Sequence, residues 1–332
     1  MLPVSICLTT YNRASVLPAT LDSILAQTYS DFELIVSDDC SPDHTEAIVC
    51  EYASRDSRIK YFRNHTNLKM PGNLNAAIRR AQGAYIANLH DGDVVRPDLI
   101  EKWKVALDEV PEANFVFNAY ESVLSDGTRS LYREPFGLRT PGEEIARHYF
   151  RTISCCVWGT VMARATAYAT HGLFDASFGF ISDVDMWLRL ARKATVAYIA
   201  EPLLSLSSHE VSHPYAFASF EMLLWRFAIY AKHAPAYPDC LPSNAHDFYC
   251  SEFRRQNIHH LLSVVKHRRW DRVREFLSVW RDAHDPVLRT IGRGLGTTAW
   301  QPAGYDKKCW EKLRWPEPST WRDARILADH CR

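Results

Sequence analysis

Short runs in which almost every position is apolar or β-branched alternate, from Val4 to Phe117, with longer stretches whose apolar positions return every three to four residues. The runs VSICLTT, FELIVSD, IKYFR, AYIANLH and NFVFN predict strands. Between them residues 14–27 place Val16, Leu17, Leu21, Ile24 and Leu25 on one face, and helices are predicted there and over 43–54, 73–81 and 97–107. Strands and helices that alternate at these lengths predict an α/β fold, a Rossmann-like and mostly parallel central sheet with helices on both faces. Further on, SDGT between apolar runs is a hairpin signal, so the order turns antiparallel within 120–132. A helix over 141–150 and a strand over 157–163 follow. From Pro214 the period becomes helical, which divides the chain into a first domain, 1–213, and a mostly helical C-terminal extension, 214–332.

Open α/β sheets bind ligands at the carboxyl ends of their strands, and here those ends are polar. The first run ends in TTYNR, the second in SDDCSPD and the fourth in HDGD. Two carboxylates one residue apart repel unless something positive lies between them, so Asp91 and Asp93 are candidate oxygen ligands for Mg²⁺ or Mn²⁺. The same spacing also fits a plain loop in which Asp93 caps a turn before Pro97. Asp38 and Asp39 end a neighbouring strand, and Tyr11 ends another with an aromatic surface suited to a nucleobase. Neither G-x-x-x-x-G-K-[ST] nor G-x-G-x-x-G occurs, so a P-loop or dinucleotide fingerprint does not account for these tips.

Composition narrows the classes. The 332 residues carry 39 Lys+Arg and 39 Asp+Glu, so no net field draws the chain to nucleic acid. Nine scattered cysteines without a C-x-x-C pair read as reduced thiols, and the apolar strand pattern begins at once without a basic leader. No apolar run reaches 18 residues, because Arg226 interrupts even MLLWRFAIYA. The expectation is a cytoplasmic protein that neither is secreted nor spans a membrane.

The ordered motifs resemble a family. VSICLTTYNRASVLPATLDSILAQTYSDFELIVSDDCSPD is similar to the opening of the family 2 glycosyltransferases, and NLNAAIRRAQGAYIANLHDGDVVRPD and GLFDASFGFISDVDMWLRLA are similar to later motifs. The likeness runs from Val4 to about Ser208. It implies a GT-A fold, a nucleotide-diphospho-sugar donor and inverting transfer to a hydroxyl acceptor, in cell-surface polysaccharide or glycoconjugate synthesis. Carried over by position, Thr9, Tyr11 and Arg13 border the base, Asp39 accepts a hydrogen bond from it with Asp38 beside it, and Asp91 and Asp93 occupy the metal and diphosphate region. In the family register the metal-associated carboxylates fall on His90 and Gly92, so the acidic pair is shifted by one residue. Asp183 matches the catalytic base, with Ser182 in place of the preceding acid. Read from the residues alone, Asp183 is equally a carboxylate cap at the start of a helix. About 200° separates Asp183 from Asp185 around that helix, so both cannot face one pocket.

His209 and His213 lie where the first domain closes; His209 is a candidate metal ligand, and both also read as ordinary loop histidines. Trp158 and Trp187 are candidate walls of a sugar pocket, with helical spacing favouring a core position for Trp187. Residues 266–281 combine an apolar face with many arginines. That face either packs on a neighbouring domain or lies on the inner face of a membrane, as suits a lipid-linked rather than a free glycan acceptor. The rival reading from another class is a silent sugar-nucleotide or glycan-binding protein on the same fold.

Overall fold

The structure is a computed structural model that describes residues 3–124, 126–207 and 220–266, with Val273, Leu277 and Leu288 as isolated positions. Cα proximity divides the chain into two compact units, Met1–Ala146 with Cys155–Ser212, and Arg147–Ser154 with His213–Arg332.

The first unit is built on one sheet. Its strands are β1 (Val4–Thr10), β2 (Phe32–Asp38), β3 (Ile59–Arg63), β4 (Tyr85–His90), β5 (Asp93–Val95), β6 (Ala113–Val123), β7 (Arg129–Tyr132), β8 (Arg139–Pro141), β9 (Val161–Arg164) and β10 (Thr195–Ser207). Hydrogen bonding orders them β3-β2-β1-β4-β9-β6-β10-β5, with β7 on β6 and β8 on β10. The strands β1 to β4, β6 and β10 run in one direction, and β9 lies antiparallel between β4 and β6. The predicted hairpin is the antiparallel pair β6–β7, where Gly127 adopts φ +82°.

Side chains of a strand alternate between the two sheet faces, and here each face has its own core. Ile6, Leu8, Leu34 and Val36 pack with residues of α1 (Leu17–Leu25), α2 (Thr45–Arg55) and α4 (Leu99–Glu109), around the fully buried Trp103. Cys7, Ile35, Ile86, Phe115 and Phe117 pack on the other side with α3 (Lys69–Ile78), α5 (Gly142–Thr152), α6 (Ala165–His171) and α7 (Ser182–Ala191). Trp187 is wholly buried there, edge-on to Phe174 and 5.3 Å from Phe115. It is core, as its helical spacing predicts.

The strand β10 has no counterpart in the sequence reading. Pro202 interrupts its apolar alternation, and its register against β6 shifts on either side of that proline. Its far end matters for the site, because Leu206 pairs with Asp93.

In the second unit, α8 (Phe220–His233) and α9 (Ala245–Lys266) bury an aromatic cluster. Phe227 lies edge-on to Tyr249 and Phe253, and Phe150 edge-on to Tyr230. Among the described residues no helix is long and apolar enough to cross a membrane. The basic amphipathic stretch after Lys266 lies outside the described residues apart from Val273 and Leu277.

Candidate functional site

Parallel register brings three strand ends level: Thr10 stands beside Asp38, and Thr9 beside His90. The chain turns sharply after each strand. Asn12, Cys40 and Gly92 adopt φ of +54°, +66° and +95°. For non-glycine residues this left-handed conformation costs about 1–2 kcal/mol, and strain of this kind clusters at ligand sites. Cys40 occupies the place where the family motif has glycine, so the strained position is retained with a side chain present.

The loops after β1 and β2 hold each other. Asn12 N–H donates to Ser41 Oγ at 2.9 Å, Ala14 N–H to Asp43 Oδ2 at 3.0 Å and Asp39 N–H to Thr10 O at 3.0 Å. Tyr11 is left 41% exposed at the rim. Ser41 and Asp43 were legible only as part of the quoted motif; their part is to fix the loop that carries Tyr11 and Arg13.

The two aspartates at the end of β2 face inward. Asp38 is fully buried, with its oxygens receiving Ser41 N–H at 2.9 Å and Tyr61 Oη–H at 2.7 Å. Asp39 is 3% exposed; its Oδ1 accepts from Asn64 Nδ2 (3.0 Å) and Leu68 N–H (2.7 Å), and its Oδ2 from Lys69 N–H (2.8 Å). Asp39 thus shapes the segment that leads into α3, whose first residue, Lys69, is itself in the left-handed region at φ +58°. Asn64 and the Leu68–Lys69 backbone are site elements that no motif announced, since they are recruited from a loop of free composition.

At the end of β4 three neighbouring side chains point three ways. His90 Nδ1 lies 3.4 Å from Thr9 Oγ1, and burial lowers its pKa, so the ring is neutral near pH 7. Asp91 turns to the β1 loop: Oδ2 accepts Tyr11 N–H at 3.2 Å and Oδ1 lies 3.7 Å from Arg13 Nε. Burial raises the Asp91 pKa against the opposing pull of Thr10, Arg13 and the Tyr11 N–H. Asp93 is the first residue of β5 and points back into the protein, accepting Thr160 Oγ1–H at 2.8 Å, with its pKa raised by burial to about 6. The structure therefore brings Thr9, Tyr11, Arg13 and Asp91 together, while the Asp93 carboxylate is held by Thr160 and the His90 backbone.

That geometry bears on Mg²⁺ or Mn²⁺. The donor set fits a site with one protein carboxylate, Asp91, completed by diphosphate oxygens and water. Asp93 Oδ2 is occupied by the Thr160 hydroxyl. Among the described residues no three His, Cys, Asp or Glu side chains converge on a point that could hold a cation. His209 and His213 lie outside the described residues.

Gly159 packs against His90. A Cβ built there would meet His90 Nε2 at 2.6 Å. Gly159→Ala is expected to displace the ring and cost about 1–3 kcal/mol of stability, read as a lower urea midpoint.

Asp183 is in the first turn of α7, after an unrelated N-cap, Ile181. Trp187 packs on Phe115, and the Leu190 carbonyl accepts from Asn114 Nδ2 at 2.8 Å, so α7 runs opposite to β6. Seven residues of helix separate Leu190 from Asp183, a rise of about 10 Å. It carries Asp183 towards the edge at which β4 and β6 end. Half-buried, the carboxylate accepts Val184 N–H at 2.9 Å, and burial raises its pKa to about 7. Asp185 faces the interior instead, where it is fully buried and bonds Arg189 Nε at 2.9 Å. The two acids lie on opposite sides, as their spacing predicts.

Known proteins place this arrangement. The sequence profile described as glycosyl transferase family 2 matches residues 5–172, half of the chain. An uncharacterized glycosyltransferase of Rickettsia typhi is 28% identical over 208 residues, which cover 62% of this chain and 64% of that protein. EpsE of Bacillus subtilis, assigned by name to the glycosyltransferases, is 32% identical over 59% of this chain and 69% of its own length. The chain thus spans less than two thirds of the rickettsial relative. S. aureus TarS 1–349, solved with UDP-GlcNAc, superposes with a TM-score of 0.59 at 16% identity, covering 82% of this chain and 89% of that one. The strand order, the helices on both sheet faces and the span of the profile match lead to one statement: this chain is a member of glycosyl transferase family 2, built on the GT-A fold.

Proposed function

We propose that the chain is an inverting glycosyltransferase that binds a nucleotide-diphospho-sugar over the tips of β1, β2 and β4 and passes the sugar to a hydroxyl of a glycan or lipid-linked acceptor. The observation that carries this reading is Asp183, a half-buried carboxylate whose pKa is raised to about 7 in the first turn of a helix that runs opposite to β6, towards that sheet edge. A general base is most effective with a pKa near the working pH. Asp183 takes the proton of the acceptor hydroxyl as its oxygen bonds to the anomeric carbon, and the bond to the diphosphate oxygen breaks with its electron pair. Attack from the face opposite the leaving group inverts the configuration.

Tyr11 offers its ring to the base. Arg13 places its charge at Asp91, where the diphosphate arrives. Mg²⁺ or Mn²⁺, when bound, would be held by Asp91 and would neutralise charge developing on the leaving diphosphate. The catalytic machinery lies within 1–213. The setting is cell-surface polysaccharide or glycoconjugate synthesis in the cytoplasm, with peripheral contact at the inner face of the membrane.

His90 and Gly92, standing where the family has carboxylates, favour one rival, a binder without turnover. Melting with UDP-GlcNAc, with and without Mn²⁺, together with assay of released UDP, separates the two. The transferase reading expects a raised melting temperature and UDP release. A melting shift without any release supports the binder, and no shift with UDP-, GDP- or dTDP-sugars contradicts both.

A further inference from the structure

The segment between α5 and β9 ends at the candidate site. Cys156 and Val157 are buried in the core, Gly159 packs on His90 and Thr160 bonds Asp93, yet Trp158 between them is 41% exposed. Its indole is fixed on one side. The indole and the Tyr120 ring meet edge to face with centroids 5.4 Å apart. On β7, Tyr132 stacks on Tyr120 at 4.8 Å with an interplanar angle of 5° and is itself 49% exposed. Three aromatic rings on β6, β7 and the β9 approach therefore form an angled shelf with two exposed members, Tyr132 parallel to Tyr120 and Trp158 turned 72° from it.

The order of the sheet says what the shelf faces. Tyr11 and Asp39 follow β1 and β2, Asp91 follows β4, and the shelf lies on the next strands, β9 and β6. At about 4.8 Å per strand, β6 is roughly 14 Å from β1. A donor lying with its base at β1 and its diphosphate at β4 directs its anomeric carbon toward this shelf. A pyranose has a C–H face that stacks on an aromatic ring and a rim of hydroxyls that hydrogen-bonds to polar groups beside it.

We propose that Trp158, with Tyr132 beside it, is the platform on which a pyranose ring of the acceptor stacks, so that the acceptor is recognised as a carbohydrate at the sugar next to the attacking hydroxyl. The proposal rests on the transferase reading for its orientation.

The test is calorimetric titration of methyl pyranosides (glucose, galactose, mannose and N-acetylglucosamine) into protein with UDP present, for wild type, Trp158→Ala and Trp158→Phe. At least one pyranoside is expected to bind, Trp158→Ala weakens it about tenfold or more, and Trp158→Phe restores most of the loss. The emission difference between wild type and Trp158→Phe changes on adding that sugar. The UDP melting shift, retained in Trp158→Ala, shows that the variant is folded and its nucleotide site intact. Absence of pyranoside binding, equal binding by Trp158→Ala, or a Trp158-dependent response to decyl phosphate in place of sugars overturns the proposal. So does loss of the UDP shift in Trp158→Ala alone, which would put the ring in the nucleotide pocket. A wild-type protein with no UDP shift but with Trp158-dependent pyranoside binding sinks the transferase reading and keeps the platform.

Discussion

Asp183→Asn is expected to lower sugar transfer by about 10²–10⁴-fold while the UDP-GlcNAc melting shift persists. The amide keeps the size of the side chain and can still accept the Val184 N–H, but it cannot take a proton from a hydroxyl. The pH profile carries the same information. With a pKa raised to about 7 by burial, the carboxylate is protonated below that pH, so the wild-type rate should climb as pH rises through about 7. Stability moves the opposite way. A carboxyl with a folded pKa above its unfolded value binds more protons in the native state between the two, so its ionisation destabilises the fold as pH rises towards 7. Asp183→Asn should therefore melt higher than wild type at pH 8, with the advantage shrinking as pH falls towards 4. A variant that transfers sugar at wild-type rate, or whose melting temperature stays below wild type at pH 8, contradicts the assignment.

The second large effect belongs to Asp39. Its buried carboxylate receives Asn64, Leu68 and Lys69 donors; Lys69 N–H has a second acceptor in Asn67 Oδ1 and Asn64 Nδ2 one in Asn73 Oδ1, so the Leu68 N–H depends most on Asp39. Asp39→Ala removes all three bonds and leaves the Leu68 N–H without its partner, at about 1–3 kcal/mol when no water replaces it. A total loss of about 2–3 kcal/mol is expected in urea unfolding, accompanied by loss of the UDP melting shift because the segment before α3 no longer keeps its shape. Asp39→Asn, which retains one acceptor oxygen, should fall between. A loss under about 1 kcal/mol in Asp39→Ala would show that the segment is held by other means.

Much of the sheet was legible because parallel strands buried on both faces read as unbroken apolar runs. β1 and β2, buried throughout, coincide with VSICLTT and FELIVSD, and the edge strand β3 with the β-branched and aromatic run IKYFR. β10 was not, since Pro202 breaks its alternation and the pairing with β6 absorbs the irregularity through shifts of register. The same remote pairing decided the site. Asp93 looked equivalent to Asp91 because spacing along the chain carries no information about Leu206 or Thr160, the partners that draw it inward. The opposed directions of Asp183 and Asp185 were legible, being a property of the helix itself. The inward turn of Asp39 was not, as it depends on backbone N–H groups supplied 29 and 30 residues later.

The account stands on a single crevice, with nucleotide held by the strand tips and Asp183 across from the leaving diphosphate. A crystal structure of the chain with UDP-GlcNAc tests it most directly. The account predicts the uracil against Tyr11, the diphosphate beside Asp91 and Arg13, and the Asp183 carboxylate on the side of the anomeric carbon opposite the phosphate. A nucleotide bound away from the ends of β1, β2 and β4, or an anomeric carbon whose open face is turned from Asp183, would contradict it.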